Sequence, residues 1–349
     1  MILNIMYNVL SQNTCMEVIM MKRAVWLLVA LVAIIALLVA CGTDSADEAS
    51  AGTGSDVESE QPQADSLQPQ SEELTVTHEL GETTVKKNPE TVVVFDFGIL
   101  DSLDKLGVEV AGVAQDSLPP YLSQYEADPY ENIGSLKEPD FEKIAEMEPD
   151  LIIISGRQTE VYDQLADIAP TVFMGVDFEN YIESFKHNMT TLGEIFDKQS
   201  EVEAELQAID DAINALHEKA SASGKNALIV LTTGGKVSAY GPGSRFGFVH
   251  DVFGIAAVDE NIEASTHGQS ISFEYIAEKD PDYLFVIDRD SAIGEGEAAK
   301  QVIENDLVKK TKAYQNDNII YLDPNNWYLS GGGLVSVMEM VKEVDEAIQ

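Results

Sequence analysis

Two stretches of this chain are copies of one another. Residues 140–157 read DFEKIAEMEPDLIIISGR and residues 272–289 read SFEYIAEKDPDYLFVIDR, with eight of eighteen positions identical at a constant offset of 132 and no gap. The matches are Phe141/Phe273, Glu142/Glu274, Ile144/Ile276, Ala145/Ala277, Glu146/Glu278, Pro149/Pro281, Asp150/Asp282 and Arg157/Arg289. Each copy reads as a short helix, a Pro-Asp turn, a hydrophobic strand and an arginine just beyond the strand's carboxyl end. Solenoids repeat every ~20–50 residues, so two copies this far apart indicate two similar lobes.

The surrounding sequence supports an α/β fold. Leu74 to Val85 alternates around Leu80-Gly81, as a β-hairpin does. Thr91 to Phe95 is a short apolar run suited to a parallel sheet, Ile99 to Gly107 has helical spacing with a glycine stop, and Val108 to Val113 reads as the next strand. Between the repeats, Val202, Leu206, Ile209, Ile213 and Leu216 form one apolar stripe on a charged helix, with Gly193 as a candidate bend. The expected architecture is two Rossmann-like α/β lobes, residues 74–177 and 223–349, joined by a single long helix within 178–222, with a ligand cleft between the lobes. The roughly 275 residues involved exceed what one core holds.

Ahead of this body lies a leader. Met21-Lys22-Arg23 and the apolar run from Ala24 to Ala40 have the form of a secretory signal ending in Leu38-Val39-Ala40-Cys41-Gly42. That ending resembles a bacterial lipobox, in which Cys41 is lipidated and becomes the first mature residue. An uncleaved transmembrane helix is the other reading, but the run is at the short limit for a span. Residues 1–40 are therefore read as a signal peptide, with 1–20 an over-extended start. Residues 41–73 are read as the lipidated cysteine and a disordered acidic tether. From Gly42 to Glu73 there are nine carboxylates and no Lys or Arg, so the segment has little to bury. With Cys15 in the removed leader, the mature chain would hold Cys41 alone, so the exported protein must be held by its core and not by a disulfide.

The formal charge of −40 argues against nucleic acid or anionic lipid as partner. It gives solubility, and it does not reveal the ligand. Within that acidic background, the chain after Cys41 has 16 lysines and three arginines, Arg157, Arg245 and Arg289. Two follow the repeat strands and the third sits in the loop Gly241-Pro-Gly-Ser-Arg-Phe-Gly247. Ligands of open α/β sheets bind beyond the carboxyl ends of strands, and arginine suits bidentate recognition of anionic oxygens. The triad is expected to line the cleft and bind an anion; surface ion pairs of little value are the alternative.

Residues 74–349 resemble the helical-backbone class of ABC-importer solute-binding proteins in the opening strand-helix unit, the paired Phe-Glu-x-Ile-Ala-Glu-x-x-Pro-Asp blocks and the lipoprotein leader. Within that class, Tyr240-Gly-Pro-Gly-Ser-Arg-Phe-Gly247, Ser265-Thr-His-Gly-Gln-Ser270 and Trp327-Tyr-Leu-Ser-Gly-Gly-Gly333 are similar to the ferric-siderophore branch of petrobactin and enterobactin type. The resemblance implies an extracellular, lipid-anchored monomer on the cytoplasmic membrane of a Gram-positive-type cell. It would capture an anionic ferric catecholate siderophore and deliver it to an ABC permease and its ATPase. It further implies that His267 and Tyr328 contact Fe(III) directly where the siderophore leaves positions open; a loop-packing histidine and an aromatic wall are the plainer roles. Phenolate oxygen suits hard ferric iron, and Trp327 is a candidate stacking wall for catechol rings. Glu142 and Glu274 are implied as permease-docking residues, although a carboxylate in a helix's first turn is also stabilised by the dipole.

No intrinsic cofactor and no enzymatic activity are expected, since the chain has no phosphate loop, no Gly-x-Ser-x-Gly elbow and no His-Glu-x-x-His. His78, His187, His217 and His250 are placed on the hairpin or helices, which disfavours a multi-histidine metal site. A binding protein for cobalamin or haem is the alternative within the class, and a secreted two-lobed enzyme the alternative outside it.

Overall fold

The computed structural model describes residues 72–294, 296 and 298–348. The signal, Cys41 and all of the tether before Glu72 lie outside the described residues. The hairpin forms as expected. β1 (Glu73–His78) and β2 (Gly81–Lys86) pair antiparallel with His78 opposite Gly81. The hydroxyl of Thr83 in β2 donates to the carbonyl of Thr171 at 2.7 Å, which fastens the hairpin to the first lobe.

The first lobe is a five-stranded parallel sheet of β3 (Val92–Val94), β4 (Gly112–Val113), β5 (Glu131–Asn132), β6 (Leu151–Ile154) and β7 (Thr171–Phe173). Its order, β5-β4-β3-β6-β7, reverses direction between β3 and β6. Every residue of β3 and β6 is buried, as strands covered on both faces require. Helix α1 (Phe97–Lys105) follows β3 directly and is capped by Asp96, which accepts from the Ile99 amide at 2.9 Å. Helix α2 (Phe141–Glu146), the first repeat's helix, is capped by Asp140.

The linking segment holds two helices. The connecting helix α4 (Gln199–Ser223) is preceded by α3 (Tyr181–Ile195), and the turn between them uses Asp197 at φ 52°. Gly193 lies close to that turn. A Cβ there would stand 3.3 Å from both the Gln199 Cα and the Val202 Cγ2, so the chain folds back tightly against it. The expected stripe on α4 is present, with Val202, Ile209, Ile213 and Leu216 buried.

The second lobe is also α/β, and its sheet is mixed. Its strands are β8 (Asn226–Thr233), β9 (Lys236–Tyr240), β10 (Ala256–Ala257), β11 (Gln269–Ile271), β12 (Tyr283–Asp288) and β13 (Ile319–Leu322), in the order β11-β9-β8-β12-β13 with β10 beside β8. β8, β10, β12 and β13 are parallel, while β9 runs antiparallel to β8 and β11. The cause is local. Gly234 and Gly235 sit at φ 53° and 74° between the paired Thr233 and Lys236, the two positive-φ residues that a tight hairpin turn demands. Side chains of β12 alternate faces: Tyr283, Phe285 and Ile287 join the main core, and Leu284 and Val286 a second one that includes Ile276 of helix α5 (Phe273–Lys279).

The repeat has a common structural logic. Asp150 accepts from the Thr91 amide just before β3, and Asp282 accepts from the Asn226 amide at the start of β8, both at 3.1 Å. In each lobe the Pro-Asp turn thus sets the register between the repeat strand and its parallel neighbour. The chain ends in helix α6 (Leu334–Ala347), which lies against α4 and also against α1 of the first lobe. The backbone therefore passes between the lobes twice, once through α3 and α4 and again on the way into α6.

Candidate ligand cleft

The three arginines start from three different elements. Arg157 is in the 3-10 segment Gly156–Val161 that follows β6, where Gln158 reaches back to accept from the Ser155 amide at 3.2 Å. Arg289 opens the helical turn Arg289–Ala292 after β12, capped by Asp288. Arg245 lies in the loop after β9, whose backbone closes on itself through Ser244 and Gly247. All three converge on Tyr328, in the turn Asn325–Leu329 beyond β13.

Arg157 Nη2 and Arg245 Nη2 donate to the main-chain carbonyl of Tyr328 at 3.1 and 2.7 Å. Arg289 Nε donates to its phenol oxygen at 3.0 Å, and Arg289 Nη1 to Thr233 Oγ1 at 3.1 Å. The guanidinium carbons stand 6.0, 4.7 and 5.8 Å from the Tyr328 ring centre for Arg157, Arg245 and Arg289. Among the described residues, neither Arg157 nor Arg245 has a carboxylate at ion-pair distance. Arg289 has Asp290 at 3.6 Å, and that carboxylate is already shared with the Thr233 hydroxyl and the Gly234 amide. The electropositive patch is thus only partly compensated in a chain of net charge −40.

The local field shows in the acidities. Burial, and then the charge of Arg157, push Arg245 down to about 10. Burial pushes the Tyr328 phenol up, but the Arg289 hydrogen bond and the charges of Arg289, Arg245 and Arg157 outweigh it and hold the phenol below its ordinary value. A phenol so placed yields an anionic oxygen more readily than a free tyrosine does.

These residues border a cleft of about 1350 Å³ lined from both lobes, with Phe173, Lys137 and His187 on one side and Thr233, Tyr240 and His267 on the other. His267 is exposed at the rim, in the loop before β11. The next residue, Gly268, has φ 71°, and a Cβ on it would stand 2.7 Å from the Tyr240 ring, so this loop needs glycine to close on β9. Lys137, His78 and His187 also line the cleft but were missed or set aside in the sequence. They reach it from a loop, the hairpin and α3, so no local pattern marks them. Among the described residues, no group of three or more His, Cys, Asp or Glu side chains is arranged to hold a bare metal ion.

Trp327 borders the cleft but does not offer a stacking face. Its side chain is in the core at 2 % exposure, stacked on Phe248 at 5.4 Å with its Nε1 donating to Glu343 at 2.8 Å. The turn directs Tyr328 outward and turns its neighbour inward, so the expected catechol wall at Trp327 is corrected to a support beneath Tyr328. Glu142 and Glu274 are exposed in the first turns of α2 and α5, and among the described residues no ion pair involves either of them.

Comparison with known proteins gives a consistent result. Residues 92–326 match the model of a family described as periplasmic binding protein. The petrobactin-binding protein YclQ of Bacillus subtilis is 50 % identical over 333 residues, covering 94 % of this chain and 100 % of that protein. Its crystal structure superposes with a TM-score of 0.78 at 55 % identity, over 79 % of this chain and 98 % of that one. The periplasmic catecholate-siderophore binding protein VctP of Vibrio cholerae gives a TM-score of 0.76 at 38 % identity, over 79 % of this chain and 100 % of that one. The chain, with its two lobes, connecting helix and intervening cleft, is a member of the periplasmic binding protein family.

Proposed function

We propose that this chain is a lipid-anchored extracellular solute-binding protein that captures an anionic ferric siderophore of catecholate type and delivers it to an ABC permease for iron uptake. The observation that carries the reading is the convergence of Arg157, Arg245 and Arg289 on Tyr328 without a full complement of carboxylates. A ferric catecholate complex is a bulky anion, and three guanidinium groups offset its charge while their N–H groups meet its oxygens. The names of the relatives, which bind petrobactin and a catecholate siderophore, agree with that chemistry.

In this reading, iron is cargo. Tyr328, its phenol already acidified, and His267 supply the remaining donors where the siderophore leaves coordination positions open. Lobe 74–177 contributes Arg157, lobe 223–349 contributes Arg245, Arg289, His267 and Tyr328, and the segment 178–222 joins them. Glu142 and Glu274 meet the permease from equivalent places in the two lobes, and Cys41 ties the protein to the membrane.

The test is quenching of Trp327 fluorescence by a panel of ferric bis- and tris-catecholates beside cobalamin and haem. Submicromolar response to the catecholates is expected. No response to them at saturating concentration, or a preference for cobalamin, refutes the proposal.

A further inference from the structure

Tyr328 belongs to a segment that the opposite lobe holds in place. Asp101 on α1 is 1 % exposed, and its carboxylate accepts from the Val335 amide at 3.2 Å and the Ser336 amide at 3.1 Å. Those amides of the first turn of α6 have no partner within the helix, so the Asp101 oxygens cap it from outside. Beside it, Ser102 Oγ accepts from the Leu334 amide at 2.9 Å and donates to the Gly98 carbonyl at 2.7 Å. Tyr121, also of the first lobe, donates at 3.2 Å to Asp101 Oδ2, the oxygen that also accepts from Ser336. The residue facing this seam on α1 is Gly98: a Cβ there would run into the Ser330 carbonyl and stand 2.8 Å from the Gly333 nitrogen.

The seam reaches Tyr328 by two routes. Ser336 Oγ donates to the Ser330 carbonyl at 3.0 Å, two residues after Tyr328. Farther along α6, Glu343 accepts from the Trp327 indole and from the Asp323 amide, both at 2.8 Å, just before Tyr328. The turn bearing Tyr328 is thus pinned on both sides to one helix, and that helix is pinned to the first lobe.

We propose that Asp101, with Gly98 making room for the contact, is a positioning residue for Tyr328: it fixes α6 and thereby holds the ligand-facing turn at the distance from Arg157 that the cleft requires. This deepens the reading of the cleft as a ferric-catecholate site and rests on it. A capping carboxylate would ordinarily stabilise only its own helix. Here the cap comes from the other lobe and the helix carries the binding turn, so placement of the cap sets placement of the site.

Asp101→Ala and Gly98→Ala are compared with Ile144→Ala, a core truncation in α2 of the same lobe, using the chain from Cys41 onward, whose one tryptophan is Trp327, well below each variant's melting temperature. Expected for the first two are a red-shifted Trp327 emission without ligand and an affinity for a ferric catecholate weaker by about tenfold. Asp101→Asn, which keeps one acceptor, should recover part of both. Ile144→Ala should lower the melting temperature alone. If Asp101→Ala and Gly98→Ala also change only the melting temperature, Asp101 is scaffold and the proposal is overturned. If the Trp327 emission moves but the parent protein binds no ferric catecholate, the functional reading has failed and the seam stands.

Discussion

Replacing Arg289 by alanine tests the electrostatics of the cleft most directly, because its geometry separates ligand binding from folding. The guanidinium donates to the Tyr328 phenol at 3.0 Å and to Thr233 at 3.1 Å, with its side chain 26 % exposed. Its loss removes one cation and one fork of donors from the ligand's path. A hydrogen bond to a charged group is worth roughly 1.5–3 kcal/mol, so affinity for a ferric catecholate should fall by about 10- to 150-fold. The fold should persist, since Asp290 keeps the Thr233 hydroxyl and the Gly234 amide. Arg289→Lys retains charge without the planar fork and should recover only part of the loss. Fluorescence titration gives the affinity, and thermal unfolding shows that the variants remain folded. An Arg289→Ala affinity within about twofold of the parent would refute the claim that these arginines compensate ligand charge.

Burial pushes the Asp101 carboxyl up to about 7 against the opposing hydrogen bonds from Ser336, Val335 and Tyr121. The folded state then holds this proton more tightly than the unfolded chain, so its contribution to stability is fully present below the unfolded value near 4 and is lost as pH rises to about 7. The difference between parent and Asp101→Asn in urea midpoints over that window should reveal a slope no steeper than about 1.4 kcal/mol per pH unit, and equal slopes would contradict it. Gly268→Ala puts a methyl against the Tyr240 ring at a left-handed φ of 71°; a loss of about 1–3 kcal/mol in chemical unfolding is expected. Cys41→Ala should abolish incorporation of labelled fatty acid and release the protein into the medium, and retention on the membrane would argue against the lipobox.

The repeat was legible because each copy is a local unit. Asp140 and Ser272 cap their helices through the next residues in sequence, and β6 and β12 are continuous apolar runs, so position and type follow from pattern alone. Arg157 and Arg289 inherit their places from those strands. The convergence on the Tyr328 carbonyl had no such signal, since a main-chain oxygen has no letter in the sequence and its partners are 171 and 83 residues away. Trp327 and Tyr328 read alike as aromatic neighbours, and only the wide, π-helical turn Asn325–Leu329 decides which one faces the core. The contact between α1 and α6 joins residues more than 230 positions apart and likewise leaves no local trace.

The double passage of the backbone between the lobes bears on how this molecule can be taken apart. A fragment ending at residue 177 would keep its five-stranded sheet but lose the helix that covers α1, leaving Gly98, Asp101 and Ser102 facing water and the carboxylate without its amides. A fragment beginning at 223 would keep the contact of α6 with the Tyr328 turn but lose α1 and α4, the helices it lies against. The two halves resemble each other, yet the first completes its wall with a helix from the far end of the chain. Truncation near the carboxyl terminus should therefore first weaken the lobe that stands first in sequence.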